Sequence, residues 1–224
     1  TVLIAGAAHT DRIHDSATKH VTGRADYTDD IAMPEGTLHA YRGVSEVAHA
    51  TLRGIDYTDV LATPGVIGVL TAGDVPGVND ISPTGLHDEP ILTNDLVQFF
   101  GQPIFAVIAE TREAARRACR LAKIDYAEEP ALIDVADAAD DARLVTAPLK
   151  LERGDSAAAI AAAPHTIRGQ MRVGGQDHFY LEGQIAFALP GEDGDVTAFS
   201  STQHPSEIQH MVSHVLGGPS HAVT

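Results

Sequence analysis

Gln203 and His204 stand in the run SSTQHP, where a strand-like pattern hands over to a helix-like one. A side chain at such a corner, beside free backbone N–H groups, can face a ligand. A glutamine there can equally do no more than cap the corner. His204, His210 and His214 follow closely, and the last two have the i, i+4 spacing of two metal ligands on one helix face. Met211 follows His210 where an H-E-x-x-H site needs its general-base glutamate, and no third ligand stands at the usual spacing. A solvated helix face accounts for the same pattern, so no metal ligand is assigned. The other polar concentration is VGGQDHFYLEGQ, Val173 to Gln184. There Asp177, His178 and Glu182 have the chemistry for acid–base work. They can also serve as hydrogen-bonding groups that fix a bend, and Gly174 and Gly175 permit a sharp bend or a close backbone approach. No G-x-S-x-G, P-loop or G-x-G-x-x-G occurs, so neither a nucleophile elbow nor a nucleotide fingerprint is present.

The elements that position these residues follow from periodicity. Pro205, Ser206 and Glu207 suit a first helical turn, Gly217 suits its end, and Ile208, Met211, Val212, Val215 and Leu216 form an apolar stripe. Strands are expected in HTIRGQMRVGGQ, QIAFALPG and DVTAFSST, with LPGEDGDV as a hairpin turn. Upstream, Thr37–Ser45 and Ala50–Tyr57 read as strands, TDVLATPG as a short helix capped by Thr58, and VIGVLT as a buried strand. AGDVPGVNDISPTGLHDEPIL carries too many turn residues for a regular element and predicts a long surface loop. PIFAVIAE, a helix capped by Thr111, and KIDYAEEP form a compact strand–helix–strand unit. The apolar face of that helix is Ala114, Ala115, Ala118, Leu121 and Ala122. Between Asp134 and Pro164 the composition shifts to Ala, Asp and Pro, predicting a linker with one short helix from about Asp155. The Arg153-Gly154-Asp155 tripeptide there reads as a chance occurrence.

Composition narrows the partners. Asp and Glu number 31 against 15 Lys and Arg, a net charge of −16, which repels phosphate backbones and anionic lipid. No nucleic-acid or membrane partner is expected, and no run approaches the ~20 apolar residues that span a bilayer. The lone cysteine, Cys119, excludes an internal disulfide framework and reads as a buried structural thiol, which fits a reducing cytoplasm.

Six motifs occur in order: HVTGRADYTDDI, GTLHAYRGVSEVAHATLRGID, TPGVIGVLTAGDVPGVNDI, FFGQPIFAVIAETREAARRACRLAKIDYAEEPALID, GGQDHFYLEGQIAFALPGEDGDV and SSTQHPSEIQH. Together they closely resemble the molybdenum-binding large subunits of the xanthine oxidase family of molybdenum hydroxylases, in the xanthine dehydrogenase branch. The resemblance implies an α+β chain: an arm over 1–20, an α/β hammerhead domain over 21–135, a linker over 136–165, and the first part of a molybdopterin-binding domain over 166–224. In family members the glutamine of the S-T-Q corner hydrogen-bonds an oxo ligand of molybdenum. Carried over, this makes Gln203 the catalytic and cofactor-binding residue, an orienting contact and not a metal ligand. The implied activity is hydroxylation of purines, hypoxanthine and xanthine to urate, with water as oxygen source. Molybdenum-molybdopterin would be shared with the remainder of the molybdenum subunit. FAD and 2Fe–2S clusters would sit on a partner FAD/iron–sulfur subunit, since one cysteine cannot hold a cluster. An aldehyde oxidoreductase, a hydroxybenzoyl-CoA reductase and a non-catalytic assembly module remain alternatives. In the family a glycine-rich loop, a pocket phenylalanine and the base glutamate follow the S-T-Q helix. This sequence ends at PSHAVT before them. The expectation is a piece that is inactive alone, with the stripe Ile208 to Leu216 as an interface.

Overall fold

The computed structural model describes residues 11, 13–141, 144 and 146–224, so most of the expected 1–20 arm and part of the 136–165 linker lie outside the described residues. The described end of the arm is not wholly irregular, for α1 (Ala17–Val21) forms a single turn of helix. Two small antiparallel sheets follow. β1 (His39–Val44), β3 (Val66–Leu70) and β5 (Pro103–Ala109) make the first, in the order β1-β5-β3. β2 (Ala50–Asp56), β4 (Leu96–Val97) and β6 (Lys123–Glu128) make the second, in the order β4-β2-β6.

β5 is central and buries Ile104, Phe105, Val107 and Ala109, which is why its sequence is a continuous apolar run. α3 (Arg112–Cys119) lies against β1 and β5 through Ala115 and Ala118, both fully buried. Thr111 caps it, its hydroxyl accepting the Ala114 N–H at 3.1 Å. The expected strand–helix–strand unit is present as consecutive elements, but its strands belong to different sheets: α3 carries the chain from β5 to β6. Leu121 falls beyond the end of α3 and stays exposed, so it leaves the expected apolar face. β3 is not a buried strand. It is an edge strand with Ile67 and Leu70 exposed, because it pairs on one side alone. α2 (Thr58–Leu61) begins one residue earlier than expected: Thr58 is helical, and its N–H is taken by the Asp56 carboxylate at 2.9 Å.

A second helix, α4 (Val135–Asp141), precedes the expected one. Asp134 starts it by accepting the Ala136 N–H at 2.8 Å while also pairing with Arg172. α5 (Ser156–Ala162) is capped by Asp155, which accepts the Ala158 N–H at 2.9 Å. The Arg153-Gly154-Asp155 tripeptide is thus the start of a helix, with Gly154 in the left-handed conformation at φ 72°. HTIRGQMRVGGQ forms no strand, for it has no sheet partner among the described residues, and Ile167 is 100% exposed. β7 (Ala186–Pro190) and β8 (Val196–Ser200) form the expected hairpin, with Phe187 and Phe199 stacked at 4.5 Å. α6 (Pro205–Leu216) follows, with Pro205 in its first turn and Gly217 left-handed at φ 68°.

Candidate functional site

The corner between β8 and α6 is built from its own short side chains. Ser201 Oγ accepts the Ile185 N–H at 3.1 Å, and the Ser201 N–H donates to Ile185 O at 3.1 Å, so the strand end is tied to the neighbouring chain. Thr202 Oγ1 accepts the His204 N–H at 3.0 Å. His204 O then accepts the N–H groups of Glu207 and Ile208, each at 3.1 Å, and the helix begins. Ser201 and Thr202 therefore fix the backbone of the corner, and no side chain, that of Gln203 included, caps the helix. Gln203 lies between them, exposed, and its amide has no hydrogen-bond partner among the described residues. A neutral amide on a fixed backbone, with both N–H donors unspent, is a ready recognition group.

The other predicted residues are placed differently. Asp177, His178 and Glu182 do not hydrogen-bond Gln203. The Val173 to Gln184 stretch has no regular structure and turns at Phe179, which is left-handed at φ 49° and 93% exposed. Asp177 fixes that turn by accepting the Phe179 N–H at 3.1 Å. Gly174 and Gly175 have open space around them, so neither the bend nor a close approach is at the glycines. Glu182 is a structural tie: its Oε1 accepts the N–H of Thr28 at 3.0 Å and the Thr28 hydroxyl at 3.2 Å. His210 faces Ser220, Nδ1 to Oγ 3.3 Å, rather than pairing with His214 around a metal. Among the described residues no group of three or more His, Cys, Asp or Glu can hold a metal ion. Burial pushes the Cys119 thiol up to about 11, as suits an inert structural cysteine.

α6 is held at three places. Ser201 and Thr202 fix its entry. Gln209 Nε2 donates to Val223 O at 2.6 Å, and Val223 lies beside β8 through Thr224, whose N–H donates to Val196 O at 2.9 Å. At the far end the long loop between β3 and β4 meets the helix: the Gly77 N–H donates to Val215 O at 2.8 Å and the Val78 N–H to His214 O at 3.2 Å. That contact had no signal in the sequence beyond one more glycine in a loop. The expected apolar stripe is half-buried, with Leu216 exposed, whereas the one fully buried residue of α6 is Ser213. Ser213 satisfies its hydroxyl on His210 O at 2.8 Å, in contact with Ser220 at 3.2 Å. A cavity of about 460 Å³ lies at this C-terminal end, lined by Asp193, Asp195, Leu216 and His221, and does not include Gln203.

Comparison with known proteins gives this geometry a context. Residues 22–130 match the a/b hammerhead domain of aldehyde oxidase and xanthine dehydrogenase, and residues 138–224 match the molybdopterin cofactor-binding domain. The chain is 38% identical to a xanthine dehydrogenase of Dictyostelium discoideum over 204 residues, 91% of this chain and 15% of that protein. The chain belongs to the xanthine oxidase family of molybdenum hydroxylases. Among solved molybdenum hydroxylase structures it superposes on the aldehyde oxidoreductase from Desulfovibrio gigas with a TM-score of 0.81 at 30% identity, over 93% of this chain and 25% of that one. It superposes on quinoline 2-oxidoreductase from Pseudomonas putida 86 with a TM-score of 0.77 at 27% identity, over 96% and 29%. The chain is α+β, with the Gln203 corner inside the segment matched to the cofactor-binding domain. The unpaired neutral amide of Gln203 is a donor that fits a group held by hydrogen bonds.

Proposed function

We propose that this chain is part of a molybdenum-dependent hydroxylase that oxidises purines, hypoxanthine and xanthine to urate, with water as the oxygen source. The observation that carries the reading is the unspent amide of Gln203, held on a corner whose backbone is fixed by the Ser201 and Thr202 hydroxyls. When bound, the molybdenum cofactor supplies the oxidising centre and accepts the two electrons from substrate. Gln203 is the residue of this chain that would hold it, donating an N–H to an oxygen on the metal without adding charge. The similarity to xanthine dehydrogenases favours a purine substrate. Cys119 is the only cysteine and has no partner to share a cluster. In this reading FAD and 2Fe–2S groups therefore belong to other segments or a partner subunit, and electrons leave by them. Among the described residues no helix is long and apolar enough to cross a membrane. The cytoplasmic location in this reading rests on the single cysteine, which suits a reducing compartment.

A second reading, oxidation of an aldehyde, is favoured by the fold match to the Desulfovibrio gigas enzyme. The test is turnover of the molybdenum-loaded assembly that contains this chain, with xanthine, an aromatic aldehyde and quinoline as competing substrates. Xanthine turnover at the highest kcat/KM is expected; preference for the aldehyde replaces the purine assignment. In the same assembly, Gln203→Ala lowers kcat at least tenfold, the size expected when a donor aimed at a reacting centre is removed. Its molybdenum content and melting temperature stay within error of the parent. Unchanged turnover at normal molybdenum content removes Gln203 from the machinery.

A further inference from the structure

We infer that the loop through Gly77 is the device that sets the aim of Gln203, with Gly77 as the positioning residue. The inference rests on the role proposed for Gln203 above. Its basis is backbone geometry. The last carbonyls of a helix have no partner within it, and in α6 two of them, on His214 and Val215, receive the Val78 and Gly77 N–H groups at 3.2 and 2.8 Å. The approach is so close that only glycine fits. A Cβ on Gly77 would lie 2.2 Å from His214 O, 2.6 Å from Gly217 N and 2.7 Å from Val215 O. All three are backbone atoms, so no side-chain rotation relieves the overlap. Gly77 has no left-handed conformation to account for it; the requirement is space.

The loop is built not to yield. Asn79 grips Leu92 with both ends of its amide: Nδ2 donates to Leu92 O at 2.7 Å and Oδ1 accepts the Leu92 N–H at 3.1 Å. The Ile81 N–H donates to Glu89 O at 2.9 Å. Beyond that, Asp80 accepts the Ser82 hydroxyl at 2.6 Å and lies 2.8 Å from His87 Nδ1. A closed neck stands next to the contact, so added bulk at Gly77 moves the helix as well as the loop.

The helix transmits that movement. Gln209, tied to Val223 O at 2.6 Å, is six residues from Val215 and four from Pro205, where α6 begins. At 1.5 Å rise per residue these arms are roughly 9 Å and 6 Å, so α6 acts as a lever about Gln209. Restoring ordinary contact at Gly77 requires a displacement of roughly 1 Å, which tips the first turn by somewhat less; the corner follows because His204 O is bonded to the N–H groups of Glu207 and Ile208, and a misplacement approaching 1 Å can cost up to about a hundredfold in rate.

The experiment compares Gly77→Ala, Gln203→Ala, their double variant and Gly73→Ala in the molybdenum-loaded assembly. Gly73 is the control, since a Cβ there meets only Thr71 Oγ1 at an ordinary 3.7 Å. The readouts are kcat and KM for xanthine, molybdenum content, and the electron paramagnetic resonance spectrum of the partially reduced metal. Gly77→Ala is expected to lower kcat about tenfold or more with KM little changed, and to shift the spectrum in the same direction as Gln203→Ala. The double variant is expected to be no worse than Gln203→Ala. Multiplying losses, or a Gly77→Ala variant that matches Gly73→Ala in rate and spectrum, overturns the inference. A Gln203→Ala variant with parental rate and spectrum instead overturns the role of Gln203 itself, which separates the two failures. Should Gly77→Ala fail to fold, Asn79→Ala opens the neck without adding bulk. It is then expected to give a smaller spectral shift of the same direction, and a parental spectrum in that variant counts against the lever.

Discussion

A methyl group on Gly43 would lie 2.1 Å from Cζ and 2.2 Å from Cε1 of Phe105, its partner across the β1–β5 pair. The ring cannot retreat, because it is 1% exposed and its other side meets Tyr57 edge-on at 5.1 Å. Gly43→Ala is therefore expected to lower stability by about 1–3 kcal/mol, the usual cost of forcing extra volume into a packed core. Urea unfolding measures it, and Gly43→Ala combined with Phe105→Leu should recover part of the loss. An unaltered midpoint in the single variant would show that the ring has room. Neither Gly43 nor Gly77 was legible in the sequence, since each requirement comes from a group far along the chain. Gln203 was legible as a corner residue, because the run from an alternating strand into a proline-led amphipathic helix marks the place. That its amide is free emerged only when the Ser201 and Thr202 hydroxyls were seen to fix the corner without it.

Elements with a core to pack on were read well, and those without one were not. β1, β2, β5, α3 and α6 carry their periods openly, as does the cap Thr111. HTIRGQMRVGGQ has the composition of a strand and forms none, because strand propensity expresses itself through neighbours on a sheet. The loop between β3 and β4 was legible as irregular, but not as rigid. The Asn79–Leu92 neck is reinforced by Asp80, whose carboxyl is held down to about 2, chiefly by the Ser82 hydroxyl and further by His87. A carboxyl lowered by folding stabilises the native loop above its ordinary range near 3.8 and loses that contribution as pH falls towards 2. A carbon NMR titration of the Asp80 carboxyl should give a midpoint near 2, with Ser82→Ala moving it upward. A midpoint in the ordinary carboxylate range for the parent would mean that the cluster does not form in solution.

At the scale of the whole molecule, three long-range ties among the described residues join the sheet region to the segment that bears the corner. Gly77 and Val78 hold the end of α6, Asp134 pairs with Arg172, and Glu182 holds Thr28. They differ in what their loss leaves behind. Arg172 is exposed, so breaking its pair returns both groups to water at little net cost. Thr28 is buried, and its N–H and hydroxyl both end on one carboxylate oxygen, so removing Glu182 strands a buried donor. The cost should be about 1–3 kcal/mol. The Val173 to Gln184 stretch has no sheet or helix to hold it, and Glu182 is its single bond to the sheet region among the described residues. Glu182→Ala is therefore expected to speed proteolytic cleavage within that stretch several-fold while leaving cleavage elsewhere unchanged. Glu182→Gln, which keeps an oxygen acceptor for Thr28, should stay close to the parent. Equal cleavage rates in all three proteins would mean that the tie contributes nothing. A general rise in cleavage across the chain would mean instead that Thr28 and Glu182 support the sheets themselves, making the approach of the two regions part of one cooperative fold rather than a local fastening.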